Sequence, residues 1–249
     1  MKLLRKTLIR LLGFDNYLRL VSKAYLGLVR SGMLQKQYPE LFFLRRIIRP
    51  GAYCLDIGAN LGYYSTFLSQ LTGPKGKVFA VEPIPLFQDI WRQNVKQSGV
   101  DNLVLFPYAL GSENGTIRMG TPERDGLLRH GMTKVMASAE ETYGRTYEVP
   151  MRIPDELFAD LPKLDFIKCD VEGFESQVFA SLQGTIRRFK PLIQTELNGT
   201  ENRLQVTRLL RSLGYRAYVL TDGETLRRIE EVQLSAVGNA DFYFKIDET

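Results

Sequence analysis

The chain has 249 residues, 44% of them hydrophobic and 24% charged. This length supports one sizeable core, and the charged fraction is typical of globular proteins, so wholesale disorder is excluded. The net charge of +5 favours anionic partners such as a phosphorylated carrier or an acidic membrane, although a solvated basic surface explains it more simply. No Lys/Arg block is interleaved with stacking aromatics, so nucleic acid is not predicted as a partner.

The cysteines and the hydropathy of the chain indicate its cellular compartment. Cys54 and Cys169 lie in apolar, strand-like segments without the spacing of a metal or redox motif, so we expect core thiols that face each other across adjacent strands. No window approaches the ~20 apolar residues of a membrane span. Arg5, Lys6 and Arg10 interrupt the apolar residues at the start of the chain, whereas a signal peptide has a continuous apolar region. The sequence predicts a cytoplasmic protein, and peripheral membrane attachment stays open.

Residues 1–49 are predicted to be a helical extension of a domain that spans residues 50–249. In the first helix an apolar face lies opposite basic residues; the apolar positions are Leu4, Leu8, Leu11 and Leu12. Two more helices are predicted at 16–30 and 39–48. The first helix docks on protein, either this domain or another copy, or it lies on an anionic membrane surface. Docking is the commoner use of such a face.

From residue 51 onward, strand and helix patterns alternate, which is typical of a parallel sheet with crossover helices. Strands are predicted at 52–57, 77–81, 103–106, 115–119, 147–153, 164–169 and 191–195. A final antiparallel pair at 215–220 and 240–246 is joined by a turn at 221–223. Residues 120–145 show no periodicity, so we expect a lid or a binding loop there.

The first strand ends in a motif that predicts a ligand site. Asp56 is followed by a tight turn in which Gly58 leaves room for a ligand, Asn60 can be left-handed and Gly62 opens a helix. Glu82 ends the second strand 26 residues after Asp56, and an acid at that place can accept both ribose hydroxyls of a nucleoside. Together these residues predict a nucleoside site.

The loop chemistry favours S-adenosylmethionine (SAM) over other nucleoside cofactors. The turn lacks the middle glycine that makes room for a pyrophosphate, and it has no Gly-Lys-Ser/Thr run, so NAD-type and P-loop sites are not predicted. Asp56 would repel a pyrophosphate but suits an ammonium group. SAM carries an ammonium group and a sulfonium and has no phosphate.

Four segments together resemble a known family. They lie at 55–65, 78–83, 109–111 and 165–175, and the last contains the specific run Ile-Lys-Cys-Asp-Val-Glu-Gly. In these segments the chain resembles FkbM-type SAM-dependent methyltransferases over about residues 50–200. The resemblance implies a Rossmann-like class I methyltransferase fold with a mostly parallel, seven-stranded sheet. It also implies O-methylation of a hydroxyl on a sugar, glycolipid or related product, with S-adenosylhomocysteine released.

The resemblance implies roles for individual residues. The methionine end of SAM, the ribose and the adenine would be bound by Asp56, Gly58, Ala59, Asn60, Gly62, Tyr63, Glu82, Pro83, Pro107, Tyr108 and Ala109. Lys168, Asp170 and Glu172 would stand beside the sulfonium and the acceptor, with Asp170 also touching the cofactor. A hydroxyl acceptor needs a proton sink, and His130 is a candidate general base because its ordinary pKa lies near neutrality. Asp170 or Glu172 could serve instead.

Several alternatives remain open. Asp170, Glu196 and Asn198 could offer oxygen ligands to a divalent metal, although we predict that the site binds no metal. Methylation at nitrogen or at a carboxylate would use the same cofactor site. A chain that binds SAM without turnover, as an assembly module, is the non-enzymatic alternative. The family also carries an acidic run before its fourth strand, and here the corresponding place reads Arg152-Ile153-Pro154-Asp155-Glu156, in which Asp155 could keep the acidic role.

Overall fold

The computed structural model describes residues 2–138, 140–238 and 240–247. The predicted domains begin at residue 1 and end at residue 249, and both of these positions lie outside the described residues. The helices are α1 (Lys2–Leu12), α2 (Phe14–Arg30), α3 (Pro39–Ile47), α4 (Tyr63–Thr72), α5 (Pro85–Ser98), α6 (Pro154–Leu157), α7 (Glu175–Ser181), α8 (Gln183–Phe189) and α9 (Thr200–Ser212). No described helix is both long and apolar enough to cross a membrane.

The strands include several of only two residues. They are β1 (Tyr53–Ile57), β2 (Lys77–Val81), β3 (Leu103–Phe106), β4 (Ala109–Leu110), β5 (Gly115–Thr121), β6 (Glu123–Arg124), β7 (Leu127–Leu128), β8 (Lys134–Val135), β9 (Arg145–Arg152), β10 (Phe166–Cys169), β11 (Leu192–Glu196), β12 (Tyr215–Thr221), β13 (Thr225–Ile229) and β14 (Asp241–Ile246).

A twisted eight-stranded sheet forms the centre of the molecule, in the order β13-β12-β14-β11-β10-β1-β2-β3. The five strands from β3 to β11 are parallel, and β14 then pairs antiparallel with β11 and β12. The predicted fold class is therefore confirmed, with one strand more than predicted. The turn at 221–223 joins β12 to β13, not to β14, and this hairpin adds the extra edge strand.

Helices cover both faces of the main sheet. On one face, Leu55 and Ile57 of β1 pack with Phe179 of α7, Ile186 of α8 and Val206 of α9. On the other face, a second cluster joins α3 and α4 to β1 and β2; it includes Phe42, Leu44, Phe67, Leu68, Cys54 and Val78. Leu18 of α2 belongs to a third cluster, with Phe87 of α5 and Val149 of β9. Helices α2 and α3, within the predicted extension, thus contribute to the same packed core.

The two cysteines are buried and free, but they do not face each other. Strands β1 and β10 are adjacent as expected, yet Cys54 pairs with Phe166 while Cys169 pairs with Ile57. Side chains alternate between the faces of a strand, so Cys54 and Cys169 point to opposite faces of the sheet. The expected juxtaposition of the thiols was wrong because it depended on a register that the sequence does not reveal.

Residues 120–145 form a small β structure where a long loop was expected. Strand β5 pairs with β8 and β9 in a four-stranded sheet, and β6 and β7 form a hairpin around Asp125 and Gly126. A 3₁₀ turn, His130–Met132, leads into β8. Two-residue strands are too short to produce a visible period, which explains why the sequence pattern indicated a loop. The segment does cover a cavity, as a lid would.

The β1–α4 turn requires Gly62 for two separate reasons. Its backbone has φ +87°, and an added Cβ would lie 2.7 Å from Trp91 Cδ1. Gly99, after α5, also has positive φ (+67°) but faces open space. The two glycines therefore separate the cost of a left-handed backbone from the cost of a clash.

We expect Gly62→Ala to lower the free energy of unfolding by about 3 kcal/mol, combining backbone strain with overpacking. Gly99→Ala should cost only about 1–2 kcal/mol, because it incurs the strain alone. Urea denaturation of both variants measures the difference. Equal losses would show that Trp91 does not constrain the turn.

Candidate functional site

A cavity lies beyond the carboxyl ends of β1, β2 and β10, where open α/β sheets bind their ligands. Its walls come from the turn after β1, the turn after β2, residues 108–110, the segment at 170–174 and the region around His130. Stretches far apart in sequence thus line one site.

Glu82 joins the first two of these turns. One carboxylate oxygen accepts the Asn60 backbone N–H at 2.8 Å, and the other accepts the Ile84 N–H at 2.8 Å. Gln88 donates to the carbonyls of Glu82 and Pro83 and so fixes the second turn. Burial raises the pKa of Glu82 to about 7. Each carboxylate oxygen has a second lone pair, so Glu82 can still accept hydroxyl donors from a ligand.

Gly58 and Asn60 shape the floor of the cavity. An added Cβ on Gly58 would lie 1.9 Å from the Asp170 carbonyl oxygen, so only glycine lets the first turn approach the end of β10. Asn60 is left-handed, with φ 48°. Its side-chain Oδ1 is buried and has no hydrogen-bond partner among the described residues, although Asn60 lines the cavity. An orphaned buried acceptor is costly, and a donor on a ligand would satisfy it.

Asp56 lies beneath the cavity rather than in its wall. It is fully buried on β1, where Ser65 of α4 donates to Oδ2 at 2.5 Å and Trp91 in turn donates to Ser65. Burial raises the pKa of Asp56, and the Lys168 ammonium opposes that rise. In the part of the chain that the structure describes, Oδ1 of Asp56 has no hydrogen-bond partner.

Lys168 also lies below the cavity, on β10 directly beside Asp56. Its Nζ donates to Asp170 Oδ2 at 3.0 Å and stands over the Tyr64 ring. Burial alone would lower the pKa of Lys168, but Asp170 and Asp56 raise it above its usual value. Lys168 is therefore a charged residue that orients Asp170, and it does not reach the cavity itself.

Glu172 stands at the rim of the cavity in a strained backbone. Its φ is 55°, and Gly173 follows with φ 100°. Glu175 holds this segment by accepting the backbone N–H groups of Val171 and Gly173. Burial, followed by the nearby charges of Asp170 and Glu196, raises the pKa of Glu172 to about 8. Backbone strain of this kind is concentrated at functional sites.

His130 lines the opposite wall of the cavity. It meets the ring of Phe87 edge-on at 6.1 Å between centroids, and its carbonyl accepts a bond from Thr133. Burial lowers the pKa of His130 to about 4, with the Arg5 cation adding to the effect. The imidazole is neutral at pH 7 but a weak base. Between His130 and Glu172, Glu172 has the pKa that suits proton abstraction near neutral pH.

The structure brings most of the predicted site residues together. Those lining the cavity are Gly58, Asn60, Glu82, Pro83, Tyr108, Ala109, His130, Asp170 and Glu172. Those outside its wall are Asp56, Ala59, Gly62, Tyr63 and Lys168. Tyr63 points away and donates to Ser22 of α2. The cofactor roles of these residues stay predictions.

Some cavity residues and one acidic residue behave in ways that the sequence did not indicate. Phe87, Met119, Thr133 and Val135 line the cavity but carry no local motif, so only tertiary packing reveals them. Asp155, considered as an acidic site residue, instead accepts the backbone N–H groups of Gly184 and Thr185 in the first turn of α8. It is a helix-capping residue outside the cavity.

An open polar groove adjoins the cavity, and Glu172 belongs to both. Arg124, Lys134 and Tyr143 line one side of this groove, and Glu196 and Asn198 line the other. Asn198 lies 3.4 Å from the Glu196 carboxylate. Among the described residues, no three His, Cys, Asp or Glu side chains are arranged to hold a metal ion.

Sequence comparisons identify similar proteins. The family model for the methyltransferase FkbM domain matches residues 56–217. A protein-L-isoaspartate O-methyltransferase of Methanopyrus kandleri is 41% identical over 56 residues, 22% of this chain and 25% of that protein. The 2-O-methyltransferase NoeI of Sinorhizobium fredii is 27% identical over 164 residues, 61% of this chain and 66% of NoeI. The chain thus spans only a quarter of the first of these relatives.

A solved structure shares the fold. The methyltransferase FkbM of Methylobacillus flagellatus superimposes with a TM-score of 0.52 at 16% identity, covering 83% of this chain and half of that one. This likeness supports the architecture, a class I methyltransferase fold, and nothing finer.

Lys168 offers a test of the charge pairing beneath the cavity. Lys168→Met removes the cation and leaves the buried Asp56 and its neighbour Asp170 uncompensated, so unfolding free energy should fall by about 3–5 kcal/mol. Lys163→Met is the matched control, since Lys163 lies 3.4 Å from Asp165 but is 46% exposed. It should change stability by less than about 1 kcal/mol. Similar effects in both variants would contradict the pairing.

Proposed function

Because the chain belongs to the FkbM methyltransferase family, we propose that it transfers a methyl group from SAM to a hydroxyl of a sugar, glycolipid or related product. The predicted cofactor class is confirmed for this family and fold. The O-methyl specificity and the acceptor are the proposal. The observation that carries it is the position of Glu172, on the wall shared by the cavity and the polar groove.

The cavity residues fit SAM. Glu82 has free lone pairs for ribose hydroxyls, and Asn60 presents an unpartnered acceptor to an ammonium group. Pro83, Tyr108 and Ala109 provide a largely apolar wall for the adenine. The carboxylates of Asp56 and Asp170 make this end of the cavity electronegative despite Lys168. When bound, SAM supplies a methyl group on a positively charged sulfur, which such an environment attracts.

The groove fits a polar acceptor without a negative charge. Its side chains offer donors and acceptors at close spacing, as a polyhydroxylated ligand requires; they include Arg124, Lys134, Glu141, Thr142, Tyr143 and Asn198. Glu172 and Glu196 face the point where groove and cavity meet. The 2-O-methyltransferase name of NoeI also supports transfer to a hydroxyl.

Glu172 is the general base of the proposed reaction. Its carboxylate would take the hydroxyl proton of the acceptor, and SAM, when bound, would supply the methyl group and leave as S-adenosylhomocysteine. The positions of both reactants supply most of the acceleration, because the methyl group is already activated. With a pKa of about 8, Glu172 is partly ionised at neutral pH and still basic enough to accept the proton.

Methylation of a carboxylate is the second candidate, since the isoaspartate methyltransferases act on that group by name. A carboxylate acceptor needs no base. It would also enter beside Glu172 and Glu196, which would repel it at close range. This electrostatic conflict favours the hydroxyl.

The Glu82 proposal predicts pH-dependent nucleoside binding. Hydroxyl donors favour the ionised carboxylate, so ligand binding lowers the pKa of Glu82, and affinity falls as pH drops below about 7. Methylthioadenosine isolates this effect because it lacks the titrating amino acid portion of SAM. Its affinity should fall about tenfold from pH 8 to pH 6. Calorimetry of wild type and Glu82→Gln tests this, and the variant should bind weakly at both pH values. A wild-type affinity independent of pH would contradict the assignment.

Glu172→Gln should lower kcat by about 10²–10⁴ while leaving SAM affinity within a few-fold, because the base acts on the acceptor. The wild-type rate should rise with pH through about 8, and the variant should lose this limb. His130→Gln is the comparison and should keep it. A radiolabelled methyl assay with candidate glycans measures these rates. A Glu172→Gln enzyme with full turnover would remove Glu172 from the mechanism.

A further inference from the structure

The N-terminal helices expose an unusual amount of apolar surface. Nine large hydrophobic side chains are exposed in the described chain, and seven of them lie between residues 4 and 33. On α1, Leu4 is 65% exposed and Leu11 is 74% exposed. Clusters of exposed apolar side chains on a folded protein mark interaction surfaces. Leu8, also on the predicted apolar face of α1, is half-buried, so the rest of the chain covers this face only in part.

The exposed positions form stripes along both helices. Leu4 and Leu11 are two turns apart on α1, while Leu20 and Leu28 are two turns apart on α2, with Ala24 exposed between them. The opposite side of α2 is firmly held, because Leu18, Ser22, Leu26 and Val29 are buried. These helices form what we call the N-terminal platform, residues 2–33. It presents its apolar stripes outward from a fixed base.

Charge is distributed as unevenly as exposure. Residues 1–49 contain eleven Lys or Arg and two Asp or Glu, a net charge of +9. The whole chain carries +5, so residues 50–249 carry −4. On the platform, Lys6, Arg10 and Lys23 are exposed next to the apolar stripes. Seven of these eleven Lys or Arg and one of the two acids lie within the platform, so most of the positive charge of the N-terminal segment lies where hydrophobic side chains are exposed.

We propose that the N-terminal platform binds the surface of a membrane that contains anionic lipids. Leucine side chains would enter the boundary between headgroups and acyl chains, and the lysine and arginine heads would meet lipid phosphates. A second copy of the chain fits less well, because a symmetric contact would bring together two basic surfaces, each of which carries Lys6, Arg10 and Lys23. The charge complementarity selects the lipid surface. This inference stands independently of the proposed methyl transfer.

Vesicle sedimentation with the full chain tests the proposal. Vesicles of phosphatidylcholine with 30% phosphatidylglycerol should pellet the wild type, and pure phosphatidylcholine vesicles should pellet much less of it. Lys6→Gln/Arg10→Gln/Lys23→Gln should lower the partition coefficient on anionic vesicles by about a hundredfold, since each basic residue near the surface contributes. Raising salt from 0.1 M to 0.5 M should release the wild type.

The apolar contribution needs its own variant and control. Leu4→Glu/Leu11→Glu/Leu20→Glu should abolish pelleting, while Val232→Glu should not, because Val232 is 88% exposed far along the chain from the platform. Equal pelleting of the wild type and both platform variants would overturn the proposal. So would a salt-insensitive interaction. Sedimentation velocity that shows a wild-type dimer, lost in the leucine variant, without vesicle binding would assign the surface to a second copy.

Discussion

The buried carboxylate of Glu82 is the constraint on which the site depends. Burying a carboxylate is expensive, and two backbone N–H bonds, from Asn60 and Ile84, offset that cost. The same two bonds fix the turn after β1 against the turn after β2. Because both oxygens keep unused lone pairs, the group that holds the turns together is also the group that can bind a ribose. Structure and binding therefore share one residue.

A layered arrangement of charge surrounds this carboxylate. In the lower layer, Lys168 lies between Asp56 and Asp170, so a buried cation is compensated and the carboxylates are held in place. In the upper layer, Glu172 stands at the rim in a left-handed backbone, close to other acidic groups. The lower layer is suited to stability and the upper layer to accepting a proton. Burial, followed by the nearby charges of Asp170 and Glu196, raises the pKa of Glu172.

Much of this could be predicted from the sequence, because parallel strands place their carboxyl ends at one edge of a sheet. The alternation of strands and helices in the sequence therefore predicts that Glu82 and the 170–172 segment lie at the same edge of the sheet. The sequence could not show that Asp56 lies beneath the cavity while Glu82 lines it, since both are acids near the end of a strand. Asp56 faces α4 and is taken up by Ser65, whereas Glu82 lies one position beyond its strand. Likewise, Phe87 and Val135 reach the cavity only through packing between distant segments.

A crystal structure with S-adenosylhomocysteine bound tests most directly whether Glu82 binds the ribose. We expect both ribose hydroxyls within hydrogen-bond distance of the Glu82 carboxylate, the amino group at Asn60 Oδ1, and the sulfur facing Glu172. A nucleoside bound in the same cavity with its ribose away from Glu82 would show that this assignment is wrong, and so would a ligand bound elsewhere on the chain.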